Sequence, residues 1–264
     1  GWTQAELDNL KNAGRDFIST PVVNLQIDRA KLSSSLLSKA IIYYTDNELR
    51  LKISRAVQKQ LRSIGLPIIS ASLKPMDNMG KNIYLPLQRG ILTMYKQILA
   101  ALEASDADIV YLCEHDVLYH PSHFDLLPEQ RGVFYYNTNV WKVRYEDGFA
   151  LWVNNCTQVS GLYGYRDDLI RHYKERVALA ESGPWDRNWG YEPGTPGKSV
   201  FKTPFTQETR MATYPNLDIR HDHNLTKNRW SKDLFRDKKG CEGWAEKNVR
   251  QMDGWDNIAA ILGT

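Results

Sequence analysis

The sequence predicts an α/β protein: a mostly parallel sheet flanked by helices, followed by a mixed α+β half. Between residues 38 and 128, short β-branched and aromatic runs alternate with helix-length amphipathic stretches. The run DIVYLC at 108–113 is apolar without alternation, as a strand covered on both faces must be. Beyond residue 130 the runs shorten and take hairpin-like spacing. A chain of 264 residues, 42% of them apolar, carries enough apolar surface for one large core.

Taken in order, TQAE at 3–6 fits a capping box ahead of Leu7, Leu10 and Phe17 and predicts a short helix over 2–17. KAIIYYTDN at 39–47 is a strand that ends in a polar turn. The stretch 48–65 then places Leu49, Ile53, Val57 and Leu61 at helical spacing up to the stop at Gly65. LPIISASL at 66–73 is the next strand, and a loop rich in Met, Asp, Asn and Gly follows it. LQRGILTMYKQILAALEAS at 87–105 supplies a second helix and ADIVYLC at 107–113 a third strand, giving the order βαβαβ. GVFYYNTNVWKVRY at 132–145, FALWVNN at 149–155 and QVSGLYGYR at 158–166 read as shorter strands, and 166–182 as one more helix. From 183 onward Gly, Pro, Trp and Asn dominate, which predicts a long loop and an irregular basic tail.

Formal net charge is +3, well below that of a dedicated nucleic-acid protein and compatible with an anionic ligand. Cys113, Cys156 and Cys241 are far apart and form no CxxC pair, so neither a disulfide framework nor a structural zinc site is signalled, and a reducing cytoplasm is the expected location. No transmembrane segment is expected, because the apolar runs fall short of the roughly 18 residues a span needs.

The run 108–113 drives straight into Glu114, His115 and Asp116. In a parallel sheet, ligands bind where strands end at their carboxyl termini. Uncompensated carboxylates there are costly unless they are solvated or bound to a cation. Mg²⁺ and Mn²⁺ favour such oxygen ligands, completed by phosphate oxygens and water. A solvated turn is the other reading of an isolated ExD.

The combination of AIIYYTDN at 40–47 with LPLQRGILTMYKQILAALEASDADIVYLCEHDVLYHPSHF at 85–124 resembles glycosyltransferases of the A-type fold, specifically the glycosyltransferase-2-like group. The resemblance spans roughly 38–225. It implies a single domain with a Rossmann-like sheet, divided into a nucleotide-binding half at 38–128 and an acceptor half at 129–225. An N-terminal helical extension at 1–37 and a basic tail at 226–264 flank it. It implies that Glu114-His115-Asp116 stands in place of the acidic DxD motif, with Glu where the first Asp is usual. Asp116 would then be the metal ligand, and Glu114 would act through water or on the sugar. Thr45 and Asp46 would sit beside the nucleotide, and Arg89 would reach toward the donor. Arg89 could equally pair with Glu103 or Asp77 on the surface.

The same resemblance places a catalytic base after SGLYGYRDDLI at 160–170, which points to Glu192 first and Asp186 second in GPWDRNWGYEPG. An inverting enzyme needs such a carboxylate to take the acceptor hydroxyl's proton. In LDIRHDHNLTKNR at 217–229, His221 and His223 lie two apart, so an extended segment would turn both rings to one face. By the resemblance, one of them completes the metal shell. The other four histidines, His115, His120, His123 and His172, read as turn or surface residues. Arg220, Lys227, Arg229, Lys232, Arg236, Lys238 and Lys239, interleaved with Trp230 and Phe235, could close over a diphosphate or track a polynucleotide acceptor.

The expected cofactor is Mn²⁺ or Mg²⁺. The expected donor is a nucleotide sugar, a UDP-sugar first, and the acceptor a glycan, a small molecule or DNA. Two other readings stay open: a nucleotidyltransferase, disfavoured because TDNEL after the first strand has no glycine, and a non-catalytic carbohydrate- or nucleic-acid-binding module on the same fold.

Overall fold

The strand β1 (Lys39–Thr45) is central because every residue in it after Lys39 is buried. Ile41 and Tyr43 enter one apolar cluster while Ala40, Ile42 and Tyr44 enter another, the alternation a strand imposes. The structure is a computed structural model that describes residues 37–154, 156–183, 191–195, 201–202, 205–224, 227–234, 243–256 and 258. The helix expected over 2–17 lies outside the described residues.

Among the described residues, three α-helices cover the sheet. Helix α1 (Leu51–Ser63) buries Ile53, Val57 and Leu61, one residue per turn, against Ile41 and Tyr43. Helices α2 (Ile91–Glu103) and α3 (Arg166–Ser182) lie on the other face, where Ile98, Leu102, Leu169 and Tyr173 meet Ile42 and Tyr44. Each large aliphatic side chain so buried contributes about 1.5–3 kcal/mol.

The remaining strands are β2 (Ile68–Ser72), β3 (Lys81–Tyr84), β4 (Ile109–Glu114), β5 (Val117–Leu118), β6 (Val133–Asn137), β7 (Val140–Arg144), β8 (Phe149–Trp152), β9 (Leu162–Tyr165), β10 (Thr206–Arg210), β11 (Asn216–Arg220) and β12 (Ala245–Asn248). Among the described residues they form two sheets, one of seven strands in the order β10-β6-β9-β4-β1-β2-β3 and one of five in the order β12-β8-β7-β11-β5. In the larger sheet β9 alone pairs antiparallel with its neighbours β4 and β6. The expected mostly parallel α/β sheet flanked by helices is therefore present. The smaller sheet contributes Trp141, Val143, Ala150, Leu217 and Ile219 to the same apolar cluster as α1. From β1 the chain moves outward through β2 and β3, then returns to place β4 on the other side of β1. The β1/β4 junction is thus a topological switch point, where a crevice opens beyond the strand ends.

Four segments depart from the sequence reading. The loop expected after β2 contains β3, which pairs parallel with β2. The runs at 132–145 make no hairpin: β6 joins the large sheet and β7 the small one, where β7 pairs with β8. The region read as irregular holds β10 and β11. The polar TQETR of β10 is a strand because β6 supplies its partners, and NLDIR of β11 alternates buried apolar Leu217 and Ile219 with Asp218 and Arg220. Residues 245–258, expected to belong to a tail, add β12 to β8 and bury Val249, Met252 and Ile258 in the main core. No helix among the described residues is long and apolar enough to cross a membrane.

Gly80 sets β3 against β2. It has φ 65°, and a Cβ there would stand 1.9 Å from the Ile68 carbonyl oxygen. Backbone on both sides cannot yield, so Gly80→Ala is expected to cost more than about 2 kcal/mol in urea unfolding. A loss under about 0.5 kcal/mol would show that β3 does not hold this position.

Candidate functional site

A cavity of about 500 Å³ opens where β1 and β4 end, a volume suited to a small ligand. Parallel pairing sets Tyr44 opposite Glu114, and the Tyr44 hydroxyl donates to Glu114 Oε1 at 3.0 Å. One step further along, Thr45 Oγ1 and His115 Nδ1 are 2.8 Å apart, with Asp46 Oδ1 3.4 Å from the same nitrogen. The chain leaves β1 through Asn47 at φ 61°, whose side-chain oxygen accepts from the backbone of Leu73 and Lys74 and ties the end of β1 to that of β2.

The second sheet supplies the opposite wall. Ile219 N donates to the Asp116 carbonyl at 2.8 Å, which aligns β11 with the Glu-His-Asp turn. Beyond β11 the chain turns at His221. The His221 N–H donates to Asn224 Oδ1, and Asn224 Nδ2 donates to Asp116 Oδ2 at 2.7 Å. His221 Nε2 stands 3.4 Å from that same Oδ2. Residues 221–223 are therefore not extended, and the two rings do not share a strand face.

His115, Asp116 and His221 bring ligand atoms within 4.8 Å of one another, a cluster that could hold a metal ion. Ligands about 2.1 Å from one ion are at most about 4.2 Å apart, so sub-ångström rotations would close it. His115 fits: with Thr45 and Asp46 on Nδ1, its Nε2 is the free nitrogen, the usual carboxylate–histidine arrangement behind a ligand. His221 Nε2 is buried without a hydrogen-bond partner, but its Nδ1 accepts from the His223 N–H at 3.1 Å. Ligation through Nε2 puts the ring proton on Nδ1 and gives up that contact. His223, expected as an alternative ligand, is outside the cluster; it lines the cavity and its carbonyl accepts from Arg89.

Arg89 spends its Nε on Asp46 Oδ2 at 2.5 Å. It pairs with neither Glu103, which is bridged to Lys174, nor Asp77. Among the other histidines expected at turns or on the surface, His123 and His172 are buried in the core and His115 is in the cluster. Each is flanked by chain whose own polarity hides it: HPSHF and DDLIRHY read as polar until tertiary contacts cover one face.

The carboxyls divide by environment. Burial works to raise Asp46 and Asp116, but His115 and Arg89 outweigh it at Asp46, and His221, His115 and Arg220 outweigh it at Asp116, so both stay below the usual carboxylate range. Burial, with the charges of Asp116 and Asp218 beside it, pushes Glu114 well up. Asp218 is raised by burial against the opposing Arg220.

Glu192 lines the same cavity, near enough for its charge to raise Glu114. Its Oε2 is buried with no hydrogen-bond partner, and burial pushes its carboxyl up to about 7 against the pull of Arg176. Arg176, itself buried on α3, lies 4.5 Å over the Tyr95 ring and donates to the Tyr191 carbonyl, next to Glu192. Asp186 lies outside the described residues.

Lys142, Arg220, Lys227 and Arg229 also line the cavity and bring positive charge to it. Trp230 packs instead against Phe149, with Arg144 over its ring, and Lys232 lies over Trp244. Phe235, Arg236, Lys238 and Lys239 are outside the described residues. Sequence reasoning missed His115, Asp218 and Arg176. Asp218 had one signal: it alternates with Leu217 and Ile219 in LDIR.

No protein-family model matches the chain, and no curated protein does. Among solved structures, the crystal structure of a glycosyltransferase involved in the glycosylation of the major capsid of PBCV-1 is similar at a TM-score of 0.41, with 11% identity over 66% of this chain and 82% of that one.

Two measurements check this geometry. A carboxyl raised from 4.5 to about 7 lends stability that is lost as pH rises through 7. Glu192→Gln is therefore expected to raise Tm by a few degrees at pH 8 and by much less at pH 5; an equal shift at both would show that Glu192 is not held in its protonated form. In calorimetric titration with Mn²⁺, His115→Ala is expected to weaken binding at least about 10-fold, and His223→Ala to leave it unchanged.

Proposed function

We propose that the protein is a metal-dependent glycosyltransferase that moves a sugar from a nucleotide-sugar donor to an acceptor hydroxyl with inversion. The observation that carries this reading is the cavity itself. It joins a cluster able to hold a cation at a switch point with a buried carboxyl, its Oε2 without a hydrogen-bond partner, raised to about 7.

Those two features divide the work of the transfer. Glu192, once ionised, takes the acceptor hydroxyl's proton as that oxygen bonds to the anomeric carbon. The bond from that carbon to the diphosphate oxygen breaks, and its electron pair leaves with the diphosphate. A cation held by His115, Asp116 and His221 would supply charge neutralisation for the leaving diphosphate. Lys227, Arg229 and Arg220, which line the cavity, suit the same anion. Asp46, with Arg89 bound to it, orients His115, and Glu114 with its proton can donate a hydrogen bond to the sugar.

A UDP-sugar is the donor we place first, and the glycosyltransferase-2-like group the family this arrangement suits best. The acceptor is a hydroxyl compound of the glycan, small-molecule or DNA class. The free thiols of Cys113 and Cys156 suit a cytoplasmic setting.

The test is nucleotide release from UDP-, GDP- and CDP-sugars with and without Mn²⁺. Turnover is expected only with metal, to rise with pH through about 7, to fall about 10²–10⁴-fold in Glu192→Gln and to vanish in Asp116→Ala. Full turnover in Glu192→Gln would remove the base and with it inversion through this residue. Pyrophosphate release from nucleoside triphosphates would identify a nucleotidyltransferase, and binding without turnover a recognition module.

A further inference from the structure

Gln97 is a buried polar residue on α2 with an amide that can point only one way. Its Nε2 donates to the Thr45 carbonyl at 2.7 Å and to the Ala71 carbonyl at 3.2 Å, at the ends of β1 and β2. Flipping the amide would set its oxygen against two carbonyls, so the orientation is fixed by the backbone. Both N–H bonds are spent, and Oε1 remains as a pure acceptor. Gln97 keeps only 3% of its surface exposed, and it lines the cavity.

Apolar side chains also line the cavity on the elements that hold Gln97. Ile91 and Met94 precede it on α2, and Leu73 follows the end of β2; all three line the cavity. Ile91 is 37% exposed, a large aliphatic side chain at a helix start. Gln97 lies at the β1 and β2 ends, while the cluster that could hold a cation lies at the β4 end. Strands about 4.8 Å apart put the two within the reach of one nucleoside diphosphate.

Resting on the donor-site reading above, we propose that Gln97 reads the donor's nucleobase by accepting a hydrogen bond from a ring N–H. Uracil and guanine offer such an N–H; cytosine presents a lone pair at the corresponding ring position, which would face Oε1 acceptor to acceptor. A buried, fixed acceptor discriminates strongly, because a base that cannot donate leaves it unpaired.

The experiment needs no variant at first. Binding of UDP, 3-methyl-UDP, GDP, 1-methyl-GDP and CDP to the wild-type protein is measured by calorimetry with Mn²⁺. The preferred nucleotide is expected to be UDP or GDP, to bind about 100-fold more tightly than its N-methylated form, and to exceed CDP. In Gln97→Met, with its fold checked by circular dichroism, the ratio of parent to methylated nucleotide is expected to fall to within about threefold. UDP or GDP bound no better than its methylated form, or CDP bound as well as either, overturns the role of Gln97 while leaving the donor site standing. Binding of none of the five overturns both.

Discussion

The parallel pairing of β1 with β4 is the constraint on which the rest of the site depends. Because Tyr44 stands opposite Glu114, the residues that follow each strand emerge side by side, and Asp46 meets His115. The apolar halves of both strands, buried on two faces, hold this register; a slip of one residue would send Ile42 and Val110 to the wrong cluster. A rigid core therefore positions a polar end, the usual division of labour in a switch-point crevice.

Within the cavity, like charges are kept apart in protonation rather than in space. Asp46 and Asp116 stay ionised because imidazoles and guanidinium groups are hydrogen-bonded to or lie near them. Glu114, Asp218 and Glu192 lack equal compensation and are raised by burial. Placing so many carboxyls in one cavity costs folding stability and makes the site ready for a cation, because a bound ion would relieve the repulsion that raises Glu114. The turn after β11 is tied down in the same way: Asn224 and His221 reach Asp116, Arg89 reaches the His223 carbonyl, and Arg50 pairs with Asp222. The Arg50 pair is exposed and contributes little, whereas the contacts to buried Asp116 fix the turn.

Much of this was legible in the order of residues. The central strands, the three helices and the Glu-His-Asp turn follow from apolar runs, helical spacing and a polar stop, all local signals. The strands β3 and β10 were not legible in the same way, since KNIY and TQETR carry no apolar alternation and become strands only beside β2 and β6. His123 and His172 read as surface residues because burial is a property of what covers a side chain, not of its neighbours in sequence.

The sequence by itself determined the α/β class and the strand end at which Glu114 and Asp116 gather, because each rests on periodicity or on residues close together in the chain; His221 and Glu192 entered only through the family resemblance. Only the tertiary structure decided that His115 rather than His223 joins the cluster, that Arg89 is held by Asp46, and that the Gln97 amide is held by the Thr45 and Ala71 carbonyls. Those outcomes depend on which carbonyl or carboxylate a side chain meets across 26 to 108 positions of sequence, and no local pattern encodes such a meeting.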